Sequence, residues 1–524
     1  MAKAKSKKLE SWTKKDIALN VLVYVINTII IMGMFIGAAA IHSINGTESF
    51  IEYIRDFKQP LHLFVVLTSM IVIMIIYFMF VDRNFLRKAS NSQMLFLIME
   101  ISLAINFVCG RYINIYLRPL ALAGLLVLFL TKHKKDAIFV NILFSILVFI
   151  MDTFTNASVP MAYSALILGI LSGVLGVFFE SKVYSRIYLF LYSLIISVPT
   201  TLLFLSAYAE HGLMATSTSF MVSLLSAIAS RLLSAFALVV LLPEFEWIFR
   251  RLTCFKLAEL TDHKSRLIRK LITEAPGTFN HSIIVSNLAE ACATAIGEDS
   301  LLARTCAYYH DVGKLRRPEF FTENQIDGLN PHDDLTPELS TNIIRSHASD
   351  GSQLLIKNRL PKEIADVCIE HHGTLPIFFF YDKAKKFTDG EVDIAKYSYL
   401  GPTPQTKIAA IIMIADGCEA ATRTLVDRSR ENVTKVVRKI VSERMALGQF
   451  DQCEITLNEI TIIINTIINS LTGVYHSRIE YPTVTLEGIK EDSLVTEENA
   501  VPQSILSAEE KATEEKPKKP RKKN

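Results

Sequence analysis

Half of the 12 histidines in the chain fall between His281 and His372. Five of these six occur in four distinct settings: Asn280-His281-Ser282, Tyr309-His310-Asp311-Val312-Gly313-Lys314, Ser346-His347-Ala348 and Glu370-His371-His372-Gly373-Thr374. A further acid, Asp416, sits in the apolar run Ile414-Ala415-Asp416-Gly417-Cys418. Neutral imidazole and carboxylate oxygen together suit first-row divalent metals such as Fe, Mn, Co or Zn. A carboxylate can bridge two ions, and adjacent His310 and Asp311 on one helix would set a terminal and a bridging ligand side by side. Two ions close together generate hydroxide near neutral pH and hold both oxygens of an in-line phosphoryl displacement. Lys314, one turn on, is placed to meet phosphate as a point charge. Taken singly, a helical histidine is more often surface or core filling than a ligand. Asp416 is harder to dismiss, because an unpaired carboxylate in an apolar helix is costly. The weight lies in all five settings occurring in this order.

The elements that must position these residues read as helices. Ser282–Ile296, Leu301–Tyr309, Glu338–Asn358, Pro361–Glu370, Thr406–Thr424 and Arg430–Met445 carry apolar residues at three- and four-residue spacing. Asp299-Ser300 and Pro361 are start signals. Strand-like alternation is scarce, so residues 271–489 are expected to form an all-α domain. Ile377–Lys396 is expected to be a loop near the site, with its aromatic run Phe378–Tyr381 packing on or covering it.

Before about Glu246 the chain changes character. Eight apolar stretches run Ile17–His42, Leu61–Val81, Gln93–Cys109, Leu117–Thr131, Ala137–Phe154, Met161–Glu180, Ile187–Ala209 and Phe220–Leu242. Each is close to the length needed to cross a hydrocarbon core about 30 Å thick. The expected fold is therefore a polytopic helical membrane domain over 17–242, joined by a linker helix over 243–270 to the soluble domain. The first stretch is too long for a signal-peptide core and reads as a retained anchor. Basic residues collect in 1–16 and in the loops Asp82–Ser92, Lys132–Asp136 and Ser181–Arg186, whereas Thr155–Pro160 and Glu210–Ser219 carry none. That asymmetry puts both termini and the catalytic domain in the cytoplasm. Glu100 and Arg231, inside the spans, read as interhelical contacts or as part of a sensing pocket. The seven cysteines show neither disulfide pairing nor zinc-knuckle spacing, and read as reduced thiols. The charged tail 490–524 is polar and aperiodic and is expected to be disordered.

The words around the histidines are more specific than the histidines themselves. Glu274-Ala275-Pro276-Gly277-Thr278-Phe279-Asn280-His281-Ser282, His310-Asp311-Val312-Gly313-Lys314 and Arg317-Pro318-Glu319-Phe320-Phe321-Thr322-Glu323-Asn324-Gln325 resemble the bacterial seven-transmembrane HD phosphodiesterases, the PgpH group. Asn330-Pro331-His332-Asp333, His371-His372-Gly373-Thr374 and Tyr399-Leu400-Gly401-Pro402-Thr403-Pro404-Gln405-Thr406-Lys407 extend the resemblance. It implies an HD superfamily metal-dependent phosphohydrolase in a bacterial inner membrane, hydrolysing cyclic di-AMP to linear pApA. It implies two divalent metal ions, Fe or Mn, with a bridging hydroxide as nucleophile. One ion would be held by His281, His310, Asp311 and Asp416, and the other by His347, His371 and His372 with Asp311 bridging. Asp311 and Lys314 would be the catalytic residues, with Tyr399, Gly401, Pro402 and Thr406 shaping the nucleotide pocket. The implied partners are a cyclic dinucleotide and the lipid bilayer, with no nucleic acid. A homodimer suits a signalling membrane enzyme, though no residue points to one. Cyclic di-GMP or a nucleoside phosphate as substrate, or a non-catalytic nucleotide receptor, are the alternatives. The group carries a large extracytoplasmic domain between its first two membrane helices. Here only Ser43–Pro60 lies between them, which implies a reduced subfamily or a different way of sensing.

Overall fold

The computed structural model describes residues 13–44, 58–155, 159–181, 183, 185–210, 218–325, 330–387 and 391–474. Residues 1–12 of the basic amino terminus, most of the first short loop, and everything after 474, including the tail 490–524, lie outside them.

The apolar runs form helices because every backbone group within them is then satisfied internally, as a bilayer requires. In chain order they are α1 (Lys14–Ile44), α2 (Lys58–Val81), α3 (Ala89–Tyr112), α4 (Leu122–Thr131), α5 (Lys134–Phe154), α6 (Val159–Glu180), α7 (Arg186–Glu210) and α8 (Thr218–Phe249). Seven of them are long and apolar enough to span, and α4 is the exception. The stretch expected as a fourth span, Leu117–Thr131, is a 3-10 turn at Ile115–Leu117 followed by ten-residue α4. Ten residues rise only about 15 Å, half the hydrocarbon thickness. Leu122 to Leu130 are all buried, so α4 is walled by protein. Such a setting is where irregular backbone at membrane depth is tolerated. At the break, buried Arg118 pairs with Asp152 at 2.6 Å, and its carbonyl accepts from the Ser230 hydroxyl.

The expected linker helix over 243–270 is interrupted. α8 runs through Pro243 to Phe249, and Arg250 then takes a left-handed φ of 50°. α9 (Cys254–Leu260) and α10 (Arg266–Glu274) follow as separate pieces. Thr253 accepts from the Lys256 N–H and Asp262 from the Lys264 N–H. These side chains offer the backbone partners that compete with a continuous helix. Inside the pieces Leu257, Leu267 and Leu271 are buried.

Two basic loops of the membrane half reach the helical domain and the linker before it. Lys132 lies 2.5 Å from Asp299, and Arg186 lies 2.6 Å from Glu259 on α9. Phe255 packs against Phe129 with ring centroids 5.2 Å apart.

The helical domain comprises α11 (Pro276–Ile296), α12 (Ser300–Tyr309), α13 (Pro337–Lys357), α14 (Lys362–Glu370), α15 (Phe378–Phe387), α16 (Lys407–Arg423), α17 (Arg430–Ala446) and α18 (Leu457–Val474). The protein is all-α: among the described residues there is no strand, only an isolated bridge between Pro376 and Ser398. α16 forms the centre of this half, with every residue from Ile408 to Asp416 buried, and packs on α11, α12, α14 and α17. Asp299 caps α12 as expected, accepting from the Leu302 N–H. The segment expected as a loop, Ile377–Lys396, contains helix α15, whose Phe380 and Ala384 are buried on one face at the (i, i+4) spacing. Three consecutive phenylalanines hide that periodicity in the sequence.

Candidate metal centre

Five elements converge on one point. His281 comes from α11, His347 from α13 and Asp416 from α16, while His371 and His372 follow the last residue of α14. His310 and Asp311 do not share a helix as expected. α12 ends at Tyr309, His310 caps it, and Asp311 leads into a 3-10 turn over Val312–Arg316. The break turns the two side chains inward together.

All seven residues are brought into two adjoining groups. The ligand atoms of Asp311, His347, His371 and His372 lie within 4.8 Å of one another, and so do those of His281, His310 and Asp416. Asp311 stands between the groups. Its Oδ1 lies 3.2 Å from His347 Nε2 and 3.6 Å from His371 Nε2. Its Oδ2 lies 3.4 Å from His310 Nε2 and 3.7 Å from His281 Nε2. Asp416 reaches His281 Nε2 at 3.1 Å and His372 Nδ1 at 3.7 Å.

The imidazoles are oriented from behind. The Nδ1 of His310, His347 and His371 donates to the carbonyl three residues earlier, at Ala307 (2.7 Å), Ile344 (2.6 Å) and Cys368 (2.8 Å). His281 Nδ1 meets Glu419 at 2.5 Å. In His310, His347 and His371, with Nδ1 donating, the Nε2 lone pair faces the centre, the tautomer that ligation needs. His310 Nε2 and Asp311 Oδ1 are buried without a hydrogen bond, and the Nε2 atoms of His347 and His371 face each other at 3.4 Å. Orphaned acceptors in this arrangement fit a pair of cations, so the centre can hold metal.

Charge states agree with that fit. Burial opposes ionisation of Asp311 and Asp416, yet Lys314 and His310 beside the first, and His281 beside the second, hold both well below the usual carboxylate range. Burial pushes His310 down to about 4 and His372 far below the usual imidazole value. Ionised carboxylates and neutral imidazoles are the forms that bind metal. His281 differs: burial opposes its charge, but hydrogen bonds to Asp416 and Glu419 raise it to about 10. Metal binding there must displace a proton.

Lys314 is not free to act on phosphate alone. Its ammonium lies 2.8 Å from Asp311 Oδ2 and 2.7 Å from Glu323. Glu323 is held in turn by Thr278, whose hydroxyl donates to it at 3.1 Å. That contact requires Gly277, since a Cβ there would sit 1.8 Å from the Glu323 carbonyl oxygen. Tyr399 stacks on His372 with centroids 4.2 Å apart and is half-buried. Gly401 and Thr406 serve the scaffold instead. Gly401 approaches the Ile369 carbonyl where a Cβ would lie 2.4 Å away, and Thr406 caps α16.

Sequence reasoning missed Glu419 and Glu323. The signal for Glu419 was its position three residues after Asp416 on one helix, which puts both carboxylates on the same face. Glu419→Gln keeps the shape and removes the charge behind His281. The expected result is a 10- to 100-fold weaker metal affinity, on the order seen when such a supporting partner is lost. Titration of the metal-free protein with Mn measures it; unchanged affinity would contradict the support role.

Residues 278–421 match the HD domain family, and residues 58–253 match the family described as 7TM receptor with intracellular HD hydrolase. The membrane half and the helical domain thus resemble the two modules of the seven-transmembrane HD hydrolases. The cyclic-di-AMP phosphodiesterase PgpH of Bacillus subtilis is 36% identical over 434 residues, 82% of this chain and 61% of the relative. PgpH of Listeria monocytogenes is 46% identical over 270 residues, 51% of this chain and 38% of the relative. The chain thus spans about three fifths of the length of the first relative and less of the second. The solved HD domain of Listeria monocytogenes PgpH in complex with cyclic-di-AMP is 49% identical, covering 41% of this chain and 99% of that one, with a TM-score of 0.39.

Proposed function

We propose that this protein is a seven-transmembrane HD hydrolase, a membrane-bound phosphodiesterase that hydrolyses cyclic di-AMP to pApA at a dinuclear Fe or Mn centre. The observation that carries the reading is the two-sided Asp311 carboxylate, with Oδ1 toward His347 and His371 and Oδ2 toward His281 and His310. Two divalent ions supply, when bound, a hydroxide near neutral pH and a clamp on phosphate oxygens. His281, His310, Asp311 and Asp416 would hold one, and Asp311, His347, His371 and His372 the other. Lys314 uses two of its three donors on Asp311 and Glu323, which leaves one for a phosphate oxygen. Tyr399, stacked on His372, offers an aromatic face beside the site. Adenine as the base rests on the names of the two PgpH relatives. The catalytic domain lies on the cytoplasmic side in this reading, because the basic loop bearing Lys132 contacts it and the loop bearing Arg186 contacts the linker that leads into it.

The test uses the full chain in detergent, loaded with Mn or Fe, with cyclic di-AMP and cyclic di-GMP offered separately. Conversion of cyclic di-AMP to pApA, abolished by a chelator and restored by added metal, is the expected result. Faster turnover of cyclic di-GMP would reassign the substrate. No turnover of either with metal bound would leave a nucleotide-binding receptor as the better reading.

A further inference from the structure

The metal centre opens on one side. The side chains of His372 and Asp416 are 21% and 12% exposed, and those of the other five ligand candidates 5% or less. A substrate has to enter past these two residues. A glycine follows each of them, Gly373 after His372 and Gly417 after Asp416. Gly417 lies inside α16, where glycine is the poorest helix former apart from proline, and it has no positive φ to require one. What it provides is space: a Cβ there would lie 1.9 Å from Nη2 of Arg444, in the last turn of α17. Gly373, at a φ of 52°, makes room in the same way for Gln449. The Gln449 side chain accepts from the Thr374 N–H at 3.0 Å and donates to the Thr374 hydroxyl at 2.9 Å. Its backbone N–H donates to the Arg444 carbonyl at 3.0 Å. The end of α17 is thereby fixed beside the open edge.

Arg444 meets no anion there. Nη1 donates to the Ile440 carbonyl at 3.4 Å, Nε is buried without a partner, and among the described residues no carboxylate pairs with the guanidinium. Asp416, the carboxylate next to Gly417, turns instead to His281 and His372. A guanidinium has five donors, so most of its capacity faces nothing the protein supplies. Half-burying a charge is costly unless a partner offsets it, and the partner missing here is one that arrives with the substrate. The planar fork matches two oxygens of a phosphate. Lys314, bonded to Asp311, and the metal centre serve the phosphate being cleaved. A cyclic dinucleotide carries two phosphodiesters in one ring, so with one on the metals the other stays at the opening.

We propose that Arg444 binds the second phosphodiester of the cyclic dinucleotide, the one that the metal centre does not cleave. This rests on the dinucleotide hydrolysis proposed above and gives its substrate a second anchor. A substrate with a single phosphate gains nothing from that anchor, so Arg444 selects dinucleotides over simple diesters.

The experiment uses the full chain in detergent, loaded with Mn, and compares cyclic di-AMP with bis(p-nitrophenyl) phosphate, a diester with a single phosphorus. Arg444→Gln is expected to lower kcat/KM for cyclic di-AMP at least about tenfold more than for the small diester, mainly through KM. Equilibrium dialysis of cyclic di-AMP against the chelated protein should show its affinity falling by a similar factor. Gly417→Ala tests the same contact with Arg444 still present. Its Cβ meets the far end of that flexible side chain, and alanine suits a helix better than glycine, so the fold is kept while the guanidinium is pushed aside. The same selective loss on cyclic di-AMP is expected. Equal losses on both diesters, or unchanged affinity in dialysis, would make Arg444 a structural prop of α16 and overturn the proposal. So would a Gly417→Ala protein that keeps wild-type discrimination. A wild type that neither binds nor cleaves a cyclic dinucleotide would instead overturn the proposed function, and this inference with it.

Discussion

Replacing Asp311 by alanine is expected to empty both halves of the metal centre and to lower phosphodiester hydrolysis by more than about 10³-fold. Asp416 also touches both groups, but it meets only His372 of the second, at 3.7 Å. Asp311 presents one oxygen to His347 and His371 and the other to His281 and His310, so its loss weakens both groups together. The protein should remain folded, because Lys314 keeps its 2.7 Å partner Glu323 when Asp311 is gone. Losing one side of a buried ion pair is ruinous mainly when the other charge is left alone. Metal content by elemental analysis, product formation and a denaturant unfolding curve, measured on one preparation, separate these effects. Retention of metal, or activity within about tenfold of wild type, would remove Asp311 from its bridging role. His347→Ala makes the useful contrast: it should reduce metal content without emptying the group built on His281, His310 and Asp416.

Gly313→Ala is expected to destabilise the helical domain by about 3 kcal/mol and to strip metal from the His347 side of the centre. The added Cβ would lie 1.9 Å from the His347 carbonyl oxygen and 2.5 Å from the Gly351 nitrogen. Both are backbone atoms of α13, so no rotamer change relieves the overlap. Gly313 does not have a positive φ, so the penalty is steric, with no dihedral strain added. Relief requires the turn over Val312–Arg316 to move off α13. That motion pulls His347 from Asp311, now 3.2 Å away. Gly33→Ala is the control, since nothing lies within 4 Å of a Cβ there. A Gly313→Ala protein with wild-type stability and metal content would show that α13 yields more easily than close packing allows.

The sequence alone determined what depends on residue type and short-range period. Apolar runs without charge dictate membrane-length helices, because unsatisfied backbone is prohibitive in lipid. Three- and four-residue spacing dictates the all-α class, and the order of His-Asp, His-His and Asp settings singles out the residues that meet at the centre. Where several influences compete locally, the sequence was ambiguous. Leu117–Thr131 has the hydropathy of a span, but Arg118 draws the backbone into a break by pairing with Asp152, a residue 34 positions away. Phe378–Tyr381 reads as a loop because its aromatic run conceals the buried Phe380–Ala384 face.

Only the tertiary structure decided relations between distant residues. That Asp311 faces the two groups with different oxygens follows from the end of α12, a boundary with no strong stop signal. Glu419 supports His281 across 138 positions, and Glu323 reaches Lys314 only because Gly277 admits its backbone. Arg231 finds Glu180 on another helix. Each of these contacts depends on a packing angle or a close backbone approach set by many side chains at once. The chain specifies such contacts collectively, and no short window of it displays them.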